Sequence, residues 1–210
     1  MDYVTKPLKG IFNTSSEFIK VKEKNEIIGL TKNVLIISFI NIILISLIAY
    51  FSSDVQKSLI QADIDPTSNI MFFIFIGTAF FGGIIPIITI TSYSVLTWIL
   101  FTEISFRKIF LIHCYVYTIT LISLSVQLIY FFIFNIDPSY PPLSLNIISD
   151  ILPKSEYIQS LLGNLSIFWV WGLIIQIISI VTLSDKSKYY CIISIVILNL
   201  TLTMGITAWM

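Results

Sequence analysis

Five stretches of this chain are long and apolar enough to cross a bilayer, and no other feature limits its fold as strongly. A helix rises about 1.5 Å per residue, so about 20 apolar residues cover a hydrocarbon core about 30 Å thick. The candidates are 33–51, 70–101, 109–134, 163–183 and 189–209. In hydrocarbon each segment must satisfy its own backbone hydrogen bonds, and the dyad alternation of a membrane strand is absent. The expected fold is an all-α polytopic membrane protein with five transmembrane helices. Residues 1–32 read as a short N-terminal amphipathic segment and 33–210 as the membrane domain. With 56% hydrophobic and 11% charged residues and a mean hydropathy of +0.93, a water-soluble domain would have no surface to show to solvent.

Basic residues set the expected orientation. With the N-terminus in the cytoplasm, Lys6, Lys9, Lys20, Lys22, Lys24, Lys32, Arg107, Lys108, Lys186 and Lys188 fall inside, and only Lys57 and Lys154 outside. Ten of the 12 basic residues on one side predicts N-in, C-out by the positive-inside rule. Basic and acidic residues balance at 12 each, so net charge points to no nucleic acid partner. The first thirty residues are charged and lack the apolar core of a removable signal peptide, so the first span is expected to be an uncleaved signal anchor. Cys114 and Cys191 lie in apolar runs without metal or redox spacing and read as reduced, small hydrophobes.

The second segment is long for one perpendicular span and contains Gly77, Gly82, Gly83 and Pro86. Splitting it would move Arg107, Lys108, Lys186 and Lys188 outside and degrade the charge bias, so one tilted, kinked helix is expected. Pro86 cannot donate to the Gly82 carbonyl, and its ring crowds that oxygen. Gly82, Gly83 and Pro86 therefore form either a functional hinge or an ordinary membrane-helix kink, tolerated where neighbours re-satisfy the backbone.

Thr14 and Glu17 have the T-x-x-E spacing of a capping box. Behind it Phe18, Ile19, Val21, Ile27 and Ile28 alternate with charges, and Phe12 and Phe18 read as interfacial anchors. Lys20, Lys22 and Lys24 would serve a cytoplasmic partner or anionic headgroups. The long outer loop opens on Asp137-Pro138-Ser139-Tyr140-Pro141-Pro142, a rigid turn, followed by helical spacing over 145–152.

Polar groups in hydrocarbon are costly unless partnered or functional, which singles out Asn41, His113, Gln127, Gln176 and Asn199, with Glu103 at a helix end. Interhelical hydrogen bonding is their plainest role. No span carries a carboxylate well inside it, which leaves little for proton or cation coupling. A single histidine builds no multi-histidine metal centre, and no H-E-x-x-H, serine-dyad or nucleotide-loop pattern is present. The expectation is no enzyme, no catalytic residue, no metal and no cofactor.

In order along the chain, Lys6-Pro7-Leu8 through Ile11-Phe12, Glu17-Phe18-Ile19 and Lys22-Glu23-Lys24 form one set of motifs. Thr102-Glu103-Ile104-Ser105-Phe106-Arg107-Lys108 and Asn164-Leu165-Ser166-Ile167-Phe168-Trp169-Val170-Trp171 followed by Leu183-Ser184-Asp185-Lys186-Ser187-Lys188 are the others. Together they resemble the YIP family of five-span proteins, bacterial branch. The D-L-Y-G-P-like segment of eukaryotic members is missing, so a Rab GTPase partner is not implied. The resemblance implies a non-enzymatic accessory protein of the bacterial cytoplasmic membrane, partnering other membrane proteins such as the permease or adaptor of an ABC exporter that protects against antimicrobial peptides. Lys20, Lys22, Lys24, Arg107 and Lys108 are the candidate partner contacts. The alternative is a small channel or carrier with a site at the kinked second helix. Polar residues converging on one water-filled cavity would favour the carrier; a dry, small-residue bundle with an apolar groove would favour the accessory protein.

Overall fold

The computed structural model describes residues 3–24, 26–63, 67–135, 143–145 and 155–209. Along them run β1 (Tyr3–Val4), α1 (Pro7–Phe12), α2 (Thr14–Lys22), β2 (Ile27–Ile28), α3 (Leu30–Phe51), α4 (Ser53–Gln61) and α5 (Ser68–Leu100). There follow α6 (Phe106–Phe134), α7 (Glu156–Asn164), α8 (Ile167–Leu183) and α9 (Lys188–Trp209). α3, α5, α6 and α9 are each long and apolar enough to cross a membrane, so the chain is an all-α membrane protein. α8 is apolar but has 17 residues, about 25 Å of helix, at the lower end of the lengths that cross a bilayer. It starts four residues after the expected position because Ser166 caps it, the hydroxyl accepting the Trp169 amide at 3.3 Å. The turn expected at 137–142, the helix expected over 146–152 and Lys154 lie outside the described residues.

α6 is the central post. Half of its most apolar window is buried, against 28% or less in the other three long helices. It packs on α3 and α5 on one side and on α8 and α1 on the other, with α9 completing the bundle against α8 and α5. α3 and α5 form the most extensive pair, and a glycine makes their closest approach possible. A Cβ on Gly82 would lie 3.2 Å from the Cα of Ile42. Gly82→Leu is therefore expected to push α3 off α5 and destabilise the bundle by about 1–2 kcal/mol, as overpacking does. A lowered unfolding midpoint in mild detergent would register it.

α5 continues through Pro86 as one helix. The carbonyl that Pro86 leaves without a donor is met from α3: Asn41 Nδ2 donates to the Gly82 oxygen at 2.7 Å. Asn41 Oδ1 in turn accepts from the Tyr117 hydroxyl at 3.2 Å. One amide thus repairs α5 and ties α3 to α6, which is how a proline survives inside a membrane helix.

The N-terminal segment is a helical hairpin against the bundle. β1 and β2 pair in parallel at its base, α1 lies on α6, and α2 on α8. Phe18 is fully buried, edge-on to the Tyr115 ring with centroids 5.8 Å apart, and so is no interfacial anchor; Phe12 is exposed. The expected capping box does not form. Thr14 is already helical, and its hydroxyl donates back to the carbonyls of Gly10 and Ile11. Glu17 is taken by other partners, the Tyr3 hydroxyl at 2.8 Å and Lys20 at 2.7 Å. The Lys20 hydrogen bond holds the Glu17 carboxyl below the usual carboxylate range against the opposing effect of burial, while burial raises the Tyr3 phenol and keeps it a donor. A depressed carboxyl contributes stability that is present above its unfolded value and is lost as pH falls through the folded one. Hydrogen exchange of the α2 amides, corrected for the intrinsic rate at each pH, should accordingly lose protection as pH falls below the ordinary carboxylate range, and Glu17→Gln should flatten that dependence.

Candidate ligand cavity

The polar residues singled out in the spans converge. Asn41 of α3, His113 and Gln127 of α6, Gln176 of α8 and Asn199 of α9 all line one cavity of about 470 Å³. α5 contributes Ile85, Thr89, Ile90 and Tyr93, bracketing Pro86. On α6 the lining runs from Gln127 to His113, a rise of about 21 Å. One end lies at Gly163, Asn164 and Ser166, beside the start of α8.

Most of the amides are used structurally. Asn199 Nδ2 donates to Gln176 Oε1 at 2.8 Å and also to the Ile195 carbonyl. Asn41 is engaged with Gly82 and Tyr117. His113 Nε2 lies 3.0 Å from the Thr97 hydroxyl, with the Tyr93 ring at 5.8 Å, so it links α6 to α5. The Trp169 indole donates to Thr203 and the Asn164 amide to Thr207, joining α8 and the end of α7 to α9. These bonds fix the helices around the space.

The hydroxyls are different. Thr89, Tyr93, Thr120 and Ser123 line the cavity, and none makes a side-chain hydrogen bond among the described residues. Thr120 is exposed although it is the midpoint of α6. A hydroxyl on a buried helix normally returns to the carbonyl one turn back, as Thr118 and Ser125 do at 2.9 and 2.8 Å. Unpaired hydroxyls opening into a space of this size suit a bound solute or water. Sequence reading missed them because serine and threonine are common inside membrane helices and carry no signal until the helices are assembled. Among the described residues, no Asp, Glu, Lys or Arg lines the cavity.

Beyond His113 the space closes. Phe101, Ile109, Ile112, Ile180, Leu183 and Ile195 form a buried apolar cluster, and Phe18 and Val21 of α2 complete it. At the far side of this plug the charges gather. Lys22 pairs with Asp185 at 3.4 Å, and Lys108 Nζ donates to the Lys22 carbonyl at 3.0 Å. Ser184 donates to Glu103 at 2.7 Å, and Lys186 donates to the Leu100 carbonyl at 2.7 Å while stacking on Phe101 and Tyr190. Hydrogen bonding from Ser184 and the nearby Lys186 outweigh burial, which acts first and upward, and leave the Glu103 carboxyl below its ordinary value. Of the candidate partner contacts, Lys22 and Lys108 meet directly, with Lys24 and Arg107 beside them in sequence, whereas Lys20 is occupied by Glu17. Gly82 and Gly83 face Ile42 rather than the cavity.

No family model, no curated protein and no solved structure matches this chain.

Proposed function

We propose that the protein is a non-enzymatic carrier or channel for a small uncharged molecule, with five membrane spans, N-terminus in the cytoplasm and C-terminus outside. The observation that carries this reading is the cavity of about 470 Å³, into which unpaired hydroxyls from α5 and α6 open near the middle of the bundle. Its volume is that of a small-molecule pocket. Among the described residues the lining carries no charged side chain, which disfavours ions, since a buried charge without a counter-charge is costly. The apolar plug on the basic side favours a carrier that alternates over an open pore. The ten basic residues on one side support the orientation and, with the resemblance to bacterial YIP proteins, a cytoplasmic-membrane location.

The experiment is flux of uncharged solutes into liposomes containing the purified protein, beside Thr120→Trp. The indole would fill the cavity from an exposed position, so transport should be lost with little change in unfolding midpoint. Flux equal in the variant and the unmodified protein would count against the site.

A second reading has its own observation, the meeting of Lys22 and Lys108 beside Lys24 and Arg107. It is an accessory protein docking on another membrane component, such as the permease or adaptor of an ABC exporter protecting against antimicrobial peptides. Crosslinking in native membranes separates the two. A recovered partner that is lost on charge reversal at Lys22, Lys24 and Arg107, without solute flux, would favour it.

A further inference from the structure

Two contacts set how far the N-terminal hairpin climbs the bundle. At its base Lys22 lies 3.4 Å from Asp185, in the turn after α8. At its tip the Phe12 ring is 5.7 Å from that of Trp171. Trp171 precedes the end of α8 at Leu183 by twelve residues, a rise of about 18 Å, and α2 itself rises about 12 Å. A tip 12–18 Å above the charged turn reaches about the middle of a core about 30 Å thick. We infer that residues 3–24 and 26–28 form a re-entrant element seated in the leaflet on the basic side, with Leu8, Phe12 and Ile19 against lipid acyl chains. The hairpin buries Ile11, Phe18 and Val21 against the bundle, while its outer face carries Leu8, Phe12 and Ile19, 65%, 73% and 52% exposed, among exposed Lys9, Asn13, Ser15 and Lys20. Three large apolar side chains left outward on an element whose inner face is already buried suit contact with lipid. The turn at the tip is tied internally by three hydrogen bonds, while the Thr14, Ser15 and Ser16 amides that open α2 meet no partner among the described residues. The Asn13 amide donates to the Lys9 carbonyl, the Glu17 amide to the Asn13 carbonyl, and the Thr14 hydroxyl to the Gly10 carbonyl. The one carboxylate on the hairpin's middle, Glu17, is buried and paired with Tyr3 and Lys20. Lys20 places its ammonium on Glu17, and the stem of the exposed Lys9 can carry its own toward the basic surface.

Depth-resolved fluorescence tests the inference. The four native tryptophans are changed to phenylalanine, Phe12→Trp is introduced, and the protein is placed in phosphatidylcholine–phosphatidylglycerol vesicles brominated at shallow or deep acyl positions. Blue-shifted emission, lost more to deep than to shallow bromine and insensitive to iodide, is the expected result. Quenching by iodide with no bromolipid effect would overturn it. Protection from both quenchers would also overturn it, because another protein surface would then cover Phe12. Ile19→Trp, nearer the base, repeats the measurement should Phe12→Trp fail to fold, and its quenching maximum should shift toward the shallow bromines.

Discussion

Tyr115→Ala is expected to cost about 3–5 kcal/mol and to release the N-terminal hairpin, the largest single-residue effect in this protein. The ring is fully buried at the junction of α1, α2 and α6. Phe18 packs edge-on against it, and Gly10 lies so close that a Cβ there would collide with its ring carbons. Its hydroxyl accepts the Lys6 amide at 3.2 Å and lies 3.3 Å from that of Tyr3. Tyr115→Phe retains the packing and loses only those bonds, so it should cost about 1 kcal/mol. Limited trypsin digestion reads both, since cleavage after Lys9, Lys20 and Lys22 requires the helical backbone there to unwind, which docking opposes. Equal digestion of Tyr115→Ala and the unmodified protein would mean the hairpin is held by something else. Gly10→Val attacks the same contact from the other side and should release the hairpin with the α6 core intact.

Asn41→Leu should cost about 2–3 kcal/mol, because it strands two buried groups at once: the Gly82 carbonyl and the Tyr117 hydroxyl. The informative experiment is the double-mutant cycle with Pro86→Ala. Alanine restores an amide that can reach the Gly82 carbonyl, so the cost of Asn41→Leu should fall by about 1 kcal/mol in that background. Unfolding titrations in mixed detergent micelles measure all four corners. Additive effects would show that Asn41 does not repair the proline break, and Pro86 would then regain weight as a hinge. Membrane hydrogen bonds are often worth less than 1 kcal/mol because unfolded segments find other partners. A carbonyl orphaned by proline inside its own helix has fewer such alternatives.

Much of the architecture could be read from hydropathy, because lipid demands long apolar helices and the chain has few of any other kind. The 163–183 span was misplaced at its start, since Gly163 and Asn164 are as compatible with α7 as with α8 until Ser166 is seen accepting the Trp169 amide. The N-terminal hairpin was harder. Lysines alternating with apolar residues suggest a helix on a membrane surface, and nothing local shows that Tyr115, more than a hundred residues away in sequence, offers Phe18 and Gly10 a place to pack. Asn41, His113, Gln127, Gln176 and Asn199 were visible as costly polar groups in hydrocarbon. Their convergence was not, because it depends on the order and rotation of the other four helices of the bundle relative to α6. Thr89, Tyr93, Thr120 and Ser123 lay below notice altogether.

The central claim is that a wet, uncharged cavity reaches the middle of this bundle, and Thr120→Cys tests it most directly. With Cys114 and Cys191 replaced by serine or alanine, a thiol at position 120 can react only if water is present to ionise it. Methyl methanethiosulfonate, small and neutral, should modify it readily, and not a thiol at the adjacent buried Ile119 or at lipid-facing Phe81. Modification should also abolish solute flux in liposomes. A thiol at 120 as inert as those at 119 and 81 would show a dry bundle and contradict the carrier.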